Sequence, residues 1–382
     1  MSTSNTSIDA LTSGGLAVFV TSHGFGHLNR TVAVLNRIPS DIAITIYTEP
    51  GLFKHWRERL LRPAQLVPRP VDFGAYNPPG DSQTTDGPET IARAIKAHAE
   101  ACGRINQDTD LLRQSNAQAV LCDAPATPLV AARQASIPAF LLANFTWADI
   151  YDEHIGPNDL EARALVDSLR DMYRQATAIF RTDPGLPLTG MAPLINVGLV
   201  VTPGNDRREE LLTHLGLAEE HRLVYFYVGR YGQADLGWDN LRALGKRGIH
   251  FIGFHPPPES AGKVDNLHVA PPDLWTGADL AATCDVAVAK AGYGTVCEVM
   301  AAGVPFVYPP RTGFAEHQAL ETALAAFGGG VRVSPEDFNA FHLETALEAA
   351  FALQPGLCPY SIDGAALVAN HLSEIIRERS PS

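Results

Sequence analysis

The feature that most constrains this chain is a recurrent alternation of short, apolar, strand-like runs with stretches of helical period. The first run is LAVFVT over 16–21; the glycine-rich turn SHGFGH, a helical pattern from about 28 to 37 and a second run, IAITIYT over 42–48, follow. Strand, helix and strand in that order build parallel sheets covered by helices. Further strands are predicted over 119–122 and 139–143, with a helix at about 128–134 between them. Four prolines and several glycines then interrupt the pattern over 182–206, the texture of a junction between domains. The alternation resumes with strands predicted over 223–228, 250–254, 267–269, 286–289 and 306–308. A clear helix is expected over 295–302 and a last amphipathic one over about 365–377. With 382 residues there is enough chain for two such units, each with its own core. The polar stretch 76–90 reads as a long loop, and long loops inside compact domains are more often functional than incidental.

Charge and cysteine content narrow the class. A formal charge of −13 opposes binding to a nucleic-acid backbone, which needs a basic face. It does not oppose a small anion, which backbone N–H groups can hold locally. The five cysteines, Cys102, Cys122, Cys284, Cys297 and Cys358, form no CxxC pair and read as reduced and structural, as in a cytoplasmic protein. The opening MSTSNTSIDALTSGG lacks the basic start and apolar core of a signal peptide, and no apolar run is long enough to span a bilayer. The basic segment 54–69 is read as a surface helix with a solvated face; contact with an anionic membrane is the less favoured alternative.

The most informative segment is CDVAVAKAGYGTVCEVMAAGVPFVYPPRTGFAEHQA, over 284–319. Its strand ends in a turn bracketed by Gly292 and Gly294 that opens a helix, with Thr295 as the expected N-cap. Free N–H groups at a helix start, with aligned dipoles behind them, form a site suited to a diphosphate. Glu298 stands three residues after Thr295, where a capping-box carboxylate would also stand. Beyond Pro309-Pro310, Arg311, Glu316, His317 and Gln318 fall near the strand ends, where ligands bind in open α/β sheets.

The order strand, GxGT, Glu, AAGVPFVYPP and EHQA resembles the donor-site signature of GT-B glycosyltransferases. Similar patterns occur in the bacterial N-acetylglucosaminyltransferases of peptidoglycan-precursor synthesis and in plant UDP-sugar transferases. The glycosyltransferase-like amino-terminal part of plant L-arabinokinases shares GHGFGH and KxGYGTVxE. The resemblance implies an α/β fold of GT-B type, two Rossmann-like parallel-sheet domains facing a central cleft. The expected organisation is a loose tail over 1–14, an acceptor-side domain over 15–190, a linker over 191–206 and a donor-side domain over 207–358. A final segment, 359–382, would pack its helix back toward the first domain.

Carried over by position, the resemblance places Gly292, Gly294 and Thr295 on the donor diphosphate and Glu298 on the ribose hydroxyls. Glu316, His317 and Gln318 would meet the donor sugar; with EHQ here in place of the more usual acidic-Gln pair, Gln318 is the better match. The base, expected to be uracil, would lie at Ala270, and Arg230 is a further candidate phosphate or sugar contact, or simply a solvated turn residue.

The turn SHGFGH is not a dinucleotide fingerprint, because Asn29 occupies the place of the third glycine. Its two histidines, His23 and His27, lie on a glycine loop with no acidic residue between them, a poor metal site, and no metal or cofactor is expected. In the family a histidine after this turn faces the acceptor; it matches His27, with Asp123 matching the aspartate that orients it. Histidine suits a general base because it titrates near neutrality. A packed helix-start histidine and a turn aspartate are the bland alternatives, and His23 is the fallback base. Phe25, Asn144 and Trp147 would line the acceptor cleft, although a buried tryptophan is also ordinary core. The expected reaction is an inverting transfer from a nucleotide-sugar donor to a small-molecule acceptor. A nucleotide-sugar epimerase of the same fold and a non-catalytic nucleotide-sugar binder are the rivals. The donor sugar, the acceptor and the oligomeric state are not legible in the sequence.

Overall fold

The computed structural model describes residues 15–78, 83–115, 117–227 and 236–380. Seven parallel strands form the first sheet: β1 (Gly15–Val20), β2 (Ala43–Thr48), β3 (Gln65–Pro68), β4 (Ala119–Asp123), β5 (Ala139–Ala143), β6 (Ala178–Thr182) and β7 (Leu194–Gly198). Their order is β3-β2-β1-β4-β5-β6-β7. Six more form the second sheet: β8 (Arg222–Tyr227), β9 (Ile249–Gly253), β10 (Leu267–Val269), β11 (Val286–Ala289), β12 (Phe306–Tyr308) and β13 (Gly330–Arg332), in the order β10-β9-β8-β11-β12-β13. All pairings within both sheets are parallel. Strands β1, β4 and β5 are buried at every position, which explains why they are apolar throughout except at Asp123, the last residue of β4.

Each sheet reverses its strand order once, between β1 and β4 and between β8 and β11. Loops leaving the strands on either side of such a reversal diverge and open a crevice beyond the carboxyl ends. The SHGFGH turn leaves β1 and the AGYG turn leaves β11, so both glycine turns sit at these crevices.

The strands that sequence patterning missed are β3, β6, β7 and β13. Three of them, β3, β7 and β13, are short outer strands with partly exposed residues, so they lack a continuous apolar run. Strand β7 lies within 191–206, the stretch expected to be a linker; the first sheet therefore extends to Gly198.

Three features tie the halves together. The helix Gly364–Arg379 buries Ala365, Val368, Leu372 and Ile376 in the core that holds Leu16 and Leu28. The polar loop after Tyr76 forms a parallel bridge between Thr84 and Thr312, with the Thr312 N–H donating to the Gln83 carbonyl at 3.2 Å. His154, from the first half, lies with Nε2 3.0 Å from the Gly313 carbonyl. The basic segment is only partly helical, Phe53–Arg59, and buries Trp56. Its Arg62 donates to the Pro39 carbonyl at 2.7 Å and Arg69 pairs with Asp108, so two of its cations hold structure together. Among the described residues no helix is long and apolar enough to cross a membrane. All five cysteines are free.

Candidate active site

The helix Phe25–Leu35 starts directly after the first glycine turn, with Gly24 as its N-cap at φ 77° and no side-chain cap. Positive φ strongly favours glycine there. His27 sits in the first turn, 7% exposed, above the carboxyl end of β4. Its Nδ1 lies 2.7 Å from Asp123 Oδ1, and Asp123 is fully buried. Arg30 Nη2 also lies 3.0 Å from this Nδ1, but it donates to Asp123 Oδ1 at the shorter distance of 2.5 Å. The carboxylate, which only accepts, is then met by a proton on Nδ1, an assignment that leaves Nε2 as the basic nitrogen. Nε2 has no hydrogen bond to a described residue.

Asp123 accepts more than the imidazole. Arg30 donates Nε to Oδ2 at 2.8 Å and Nη2 to Oδ1 at 2.5 Å, and Thr31 donates its hydroxyl to Oδ2 at 2.7 Å. Burial works against the charged carboxylate, but Arg30 and His27 outweigh it and hold the group at about 2. Arg30 in turn donates Nη1 to Asn144 Oδ1 at 2.5 Å, and Asn144 Nδ2 donates to Glu316 Oε1 at 2.5 Å. The guanidinium lies over the Tyr293 ring, 5.3 Å from its centroid. A buried polar chain therefore runs from His27 through Asp123, Arg30 and Asn144 to Glu316 in the second half. Sequence reasoning missed Arg30 and Thr31. The signal was present: they stand three and four residues after His27, on one helix face.

Around the imidazole, His27 meets Phe145 edge to face at 5.6 Å, and Phe145 meets Trp147 and Phe314, each at 5.3 Å. Trp147 is buried and donates Nε1 to Asp72 Oδ2 at 2.7 Å. Burial pushes the Asp72 carboxyl up to about 6, against the hydrogen bonds from Thr21 and Trp147. His23 packs edge-on to Trp147 at 5.2 Å, and its Nδ1 accepts the Ala75 N–H at 3.3 Å. Burial, with Arg311 second, lowers its pKa well below the ordinary histidine value. Phe25 does not join this group; its ring packs against His55 and lies under Arg59.

On the opposite wall the helix Tyr293–Ala302 has Gly292 as its N-cap, three residues earlier than the sequence suggested. Thr295 is thus the third helical residue and not the N-cap, because Tyr293 already takes helical dihedrals and anchors its hydroxyl to the Val200 N–H at 3.2 Å. No side chain caps this start, so the first amides of the helix lack a capping partner. A Cβ built on Gly294 would lie 3.9 Å from the Gly26 Cα, so the two glycine turns face each other. The capping-box alternative for Glu298 is excluded by this register: it lies one turn further along. Its carboxylate sits against the start of the helix Gly277–Thr283, where a Cβ on Gly277 would meet Oε2 at 3.1 Å. Burial pushes the Glu298 carboxyl up to about 7, with Arg59 working the other way.

Lys290 ends the strand below this turn, pushed down to about 8 by burial and then by Arg311. Glu316 and His317 are buried at the start of the helix Glu316–Phe327, whereas Gln318 is exposed. His317 Nε2 accepts the Arg311 N–H at 3.1 Å. Ala270 is buried, its N–H donated to the Gly253 carbonyl at 2.8 Å. Arg230 lies outside the described residues. Among the described residues no three His, Cys, Asp or Glu side chains form a metal-ligand group.

Two parallel sheets, reversed at facing crevices, match solved structures over nearly the whole chain. The glycotransferase of kitacinnamycin superimposes with a TM-score of 0.60 at 15% identity, covering 96% of this chain and 95% of that one. A Phytolacca americana UGT2 complexed with UDP-2-fluoro-glucose and pterostilbene does so at 0.59, also at 15% identity, covering 96% and 94%. The chain has the GT-B glycosyltransferase fold. No family model matches this GT-B chain. Its sequence is 27% identical to L-arabinokinase of Arabidopsis thaliana over 94% of its length, and spans about a third, 34%, of that relative. It is 30% identical to a UDP-N-acetylglucosamine–N-acetylmuramyl-(pentapeptide) pyrophosphoryl-undecaprenol N-acetylglucosamine transferase of Mycolicibacterium vanbaalenii, over 40% of each chain.

Proposed function

We propose that this chain transfers a sugar from a nucleotide-diphosphate donor, most simply a UDP-sugar, to a small-molecule acceptor by a single inverting displacement. The observation that carries the reading is the His27–Asp123 pair, 2.7 Å apart, standing across the cleft from an uncapped helix start at Gly292–Thr295. His27 Nε2 takes the proton of an acceptor hydroxyl as its oxygen attacks the anomeric carbon. Asp123 fixes the tautomer and supports the imidazolium that forms. The amides of Tyr293, Gly294 and Thr295, with the helix dipole behind them, receive charge as the bond to the diphosphate breaks. In this reading Glu298 accepts from ribose hydroxyls, and Gln318 and His317 meet the donor sugar. The Ala270 carbonyl is the backbone group left to meet the base. The aromatic group at His23, Phe145 and Trp147 walls the acceptor side. UDP appears in the names of relatives and neighbours of this fold, which favours it over other nucleotides.

A thermal-shift screen of nucleotide sugars, followed by UDP release with candidate acceptors, tests the reading. His27→Ala lowers turnover by about two to four orders of magnitude while UDP still binds. A His27→Ala enzyme of near-normal rate removes His27 as the base. Indifference to every nucleotide diphosphate ends the whole proposal.

A further inference from the structure

We propose that Glu316, contributed by the second half of the chain, is a positioning residue for the His27 base, acting through Asn144 and Arg30. The proposal rests on the reading of His27 as the general base. It starts from a problem of charge. Arg30 makes two hydrogen bonds to Asp123, and a guanidinium held that closely would by itself neutralise the carboxylate that the imidazole needs. The Asn144–Glu316 link supplies a second buried anion to the same chain, Glu316 being 4% exposed and Asn144 fully buried. Along the hydrogen-bonded chain itself Asp123, Arg30 and Glu316 carry two negative charges and one positive, while Lys290 and Arg311 face the Glu316 end and Asp72 the His27 end. Whatever the total, a negative charge at Glu316 favours the protonated ring formed during transfer over a neutral side chain at the same place.

The geometry also assigns the two ends of the chain to different halves of the fold. Asn144 follows β5, and Glu316 opens the helix Glu316–Phe327 beyond β12. The chain is complete only while Asn144 and Glu316 stay in contact, so the arrangement of the base depends on how the two halves meet. Other groups face each end. His27 feels Asp72 and His23 in addition to Asp123 and Arg30. Glu316 feels Lys290, Arg311 and His317 as well as Arg30. None of these contacts replaces the Asn144 link, the route by which Glu316 reaches Arg30 through hydrogen bonds.

The experiment is the ring titration of His27, followed by NMR on protein with carbon-labelled histidine, the resonance assigned with His27→Ala. It needs no substrate, so it stands even if the transferase reading fails. In Glu316→Gln the charge is lost and the shape kept; the His27 titration moves to lower pH by about half a unit. Glu316→Asp keeps the charge and returns it toward the wild-type position. Once a donor and an acceptor are known, the acid limb of kcat/KM moves the same way in Glu316→Gln. A Glu316→Gln protein whose His27 titrates as in wild type overturns the proposal. A raised donor KM with an unmoved acid limb also overturns it, leaving Glu316 as a sugar contact alone.

Discussion

Gly294 and Gly26 face each other across the cleft, the Cβ position of the first lying 3.9 Å from the Cα of the second. One methyl group there makes an ordinary contact; a branched side chain fills the space in front of the uncapped amides. Gly294→Ala is expected to keep or slightly raise the melting temperature, since alanine within a helix is favoured over glycine by about 0.5–1 kcal/mol. Gly294→Val is expected to weaken UDP binding by about tenfold or more, a loss of about 1.4 kcal/mol, with little change in melting. Calorimetric titration of both variants with UDP checks this, and equal affinity for the two would show that the diphosphate lies elsewhere.

Glu298 is held at about 7 by burial, so near neutrality it is divided between its acid and its carboxylate. On the proposed role, ribose hydroxyls donating to it stabilise the carboxylate, and binding therefore drives a proton off. UDP affinity in the wild type is expected to rise between pH 6 and pH 8 and then level. In Glu298→Gln the affinity is weaker and flat across that range. The stability consequence has the opposite sense. A carboxyl raised in the folded state costs stability as pH climbs from its unfolded value toward 7, so Glu298→Gln melts higher than wild type at pH 8 and draws level near pH 4. Titration calorimetry and thermal melts at three pH values measure both; a pH-independent wild-type affinity removes Glu298 from the ribose.

Why His27 and Asp123 were readable while Arg30, Asp72 and Asn144's link to Glu316 were not is a matter of range. His27 follows a glycine turn at the end of a strand, and Asp123 closes an apolar strand; both are marked by their immediate neighbours in sequence. The paired strands bring together residues 96 positions apart, and the resemblance supplied that pairing in advance. Arg30 carried a local cue in its spacing from His27, but an arginine on a helix ordinarily reads as a solvated cation. Asp72 carries no cue: it lies in an irregular loop and is defined by Trp147, 75 residues further on. The core strands other than β6 were legible because they are buried on both faces, whereas β3, β7 and β13 keep polar residues at the sheet edge; β6 is interior, but its run AIFRT is broken by Arg181. Thr295 was misplaced as an N-cap because side-chain capping is the usual local rule. Here an uncapped glycine, Gly292, starts the helix instead.

Arg30 gives the clearest separation of folding from chemistry. It is 3% exposed and compensates two buried carboxylates, Asp123 directly and Glu316 through Asn144. Arg30→Met removes the cation and leaves both anions in place, a change of the kind that costs about 3–5 kcal/mol. The cost depends on pH in a stated direction. Asp123, at about 2 in the folded protein, is depressed below its ordinary value, so its contribution is complete above about 4 and is lost as pH falls through 2. The gap in melting temperature between wild type and Arg30→Met is therefore expected to be widest at pH 6–7 and to narrow steadily below pH 4. Arg30→Lys retains the charge but not the paired donors, and should recover part of the stability while leaving Asp123 imperfectly held. If Arg30→Met melts like wild type at pH 7, the guanidinium is not what keeps Asp123 ionised, and the charge balance drawn along the His27–Glu316 chain is wrong.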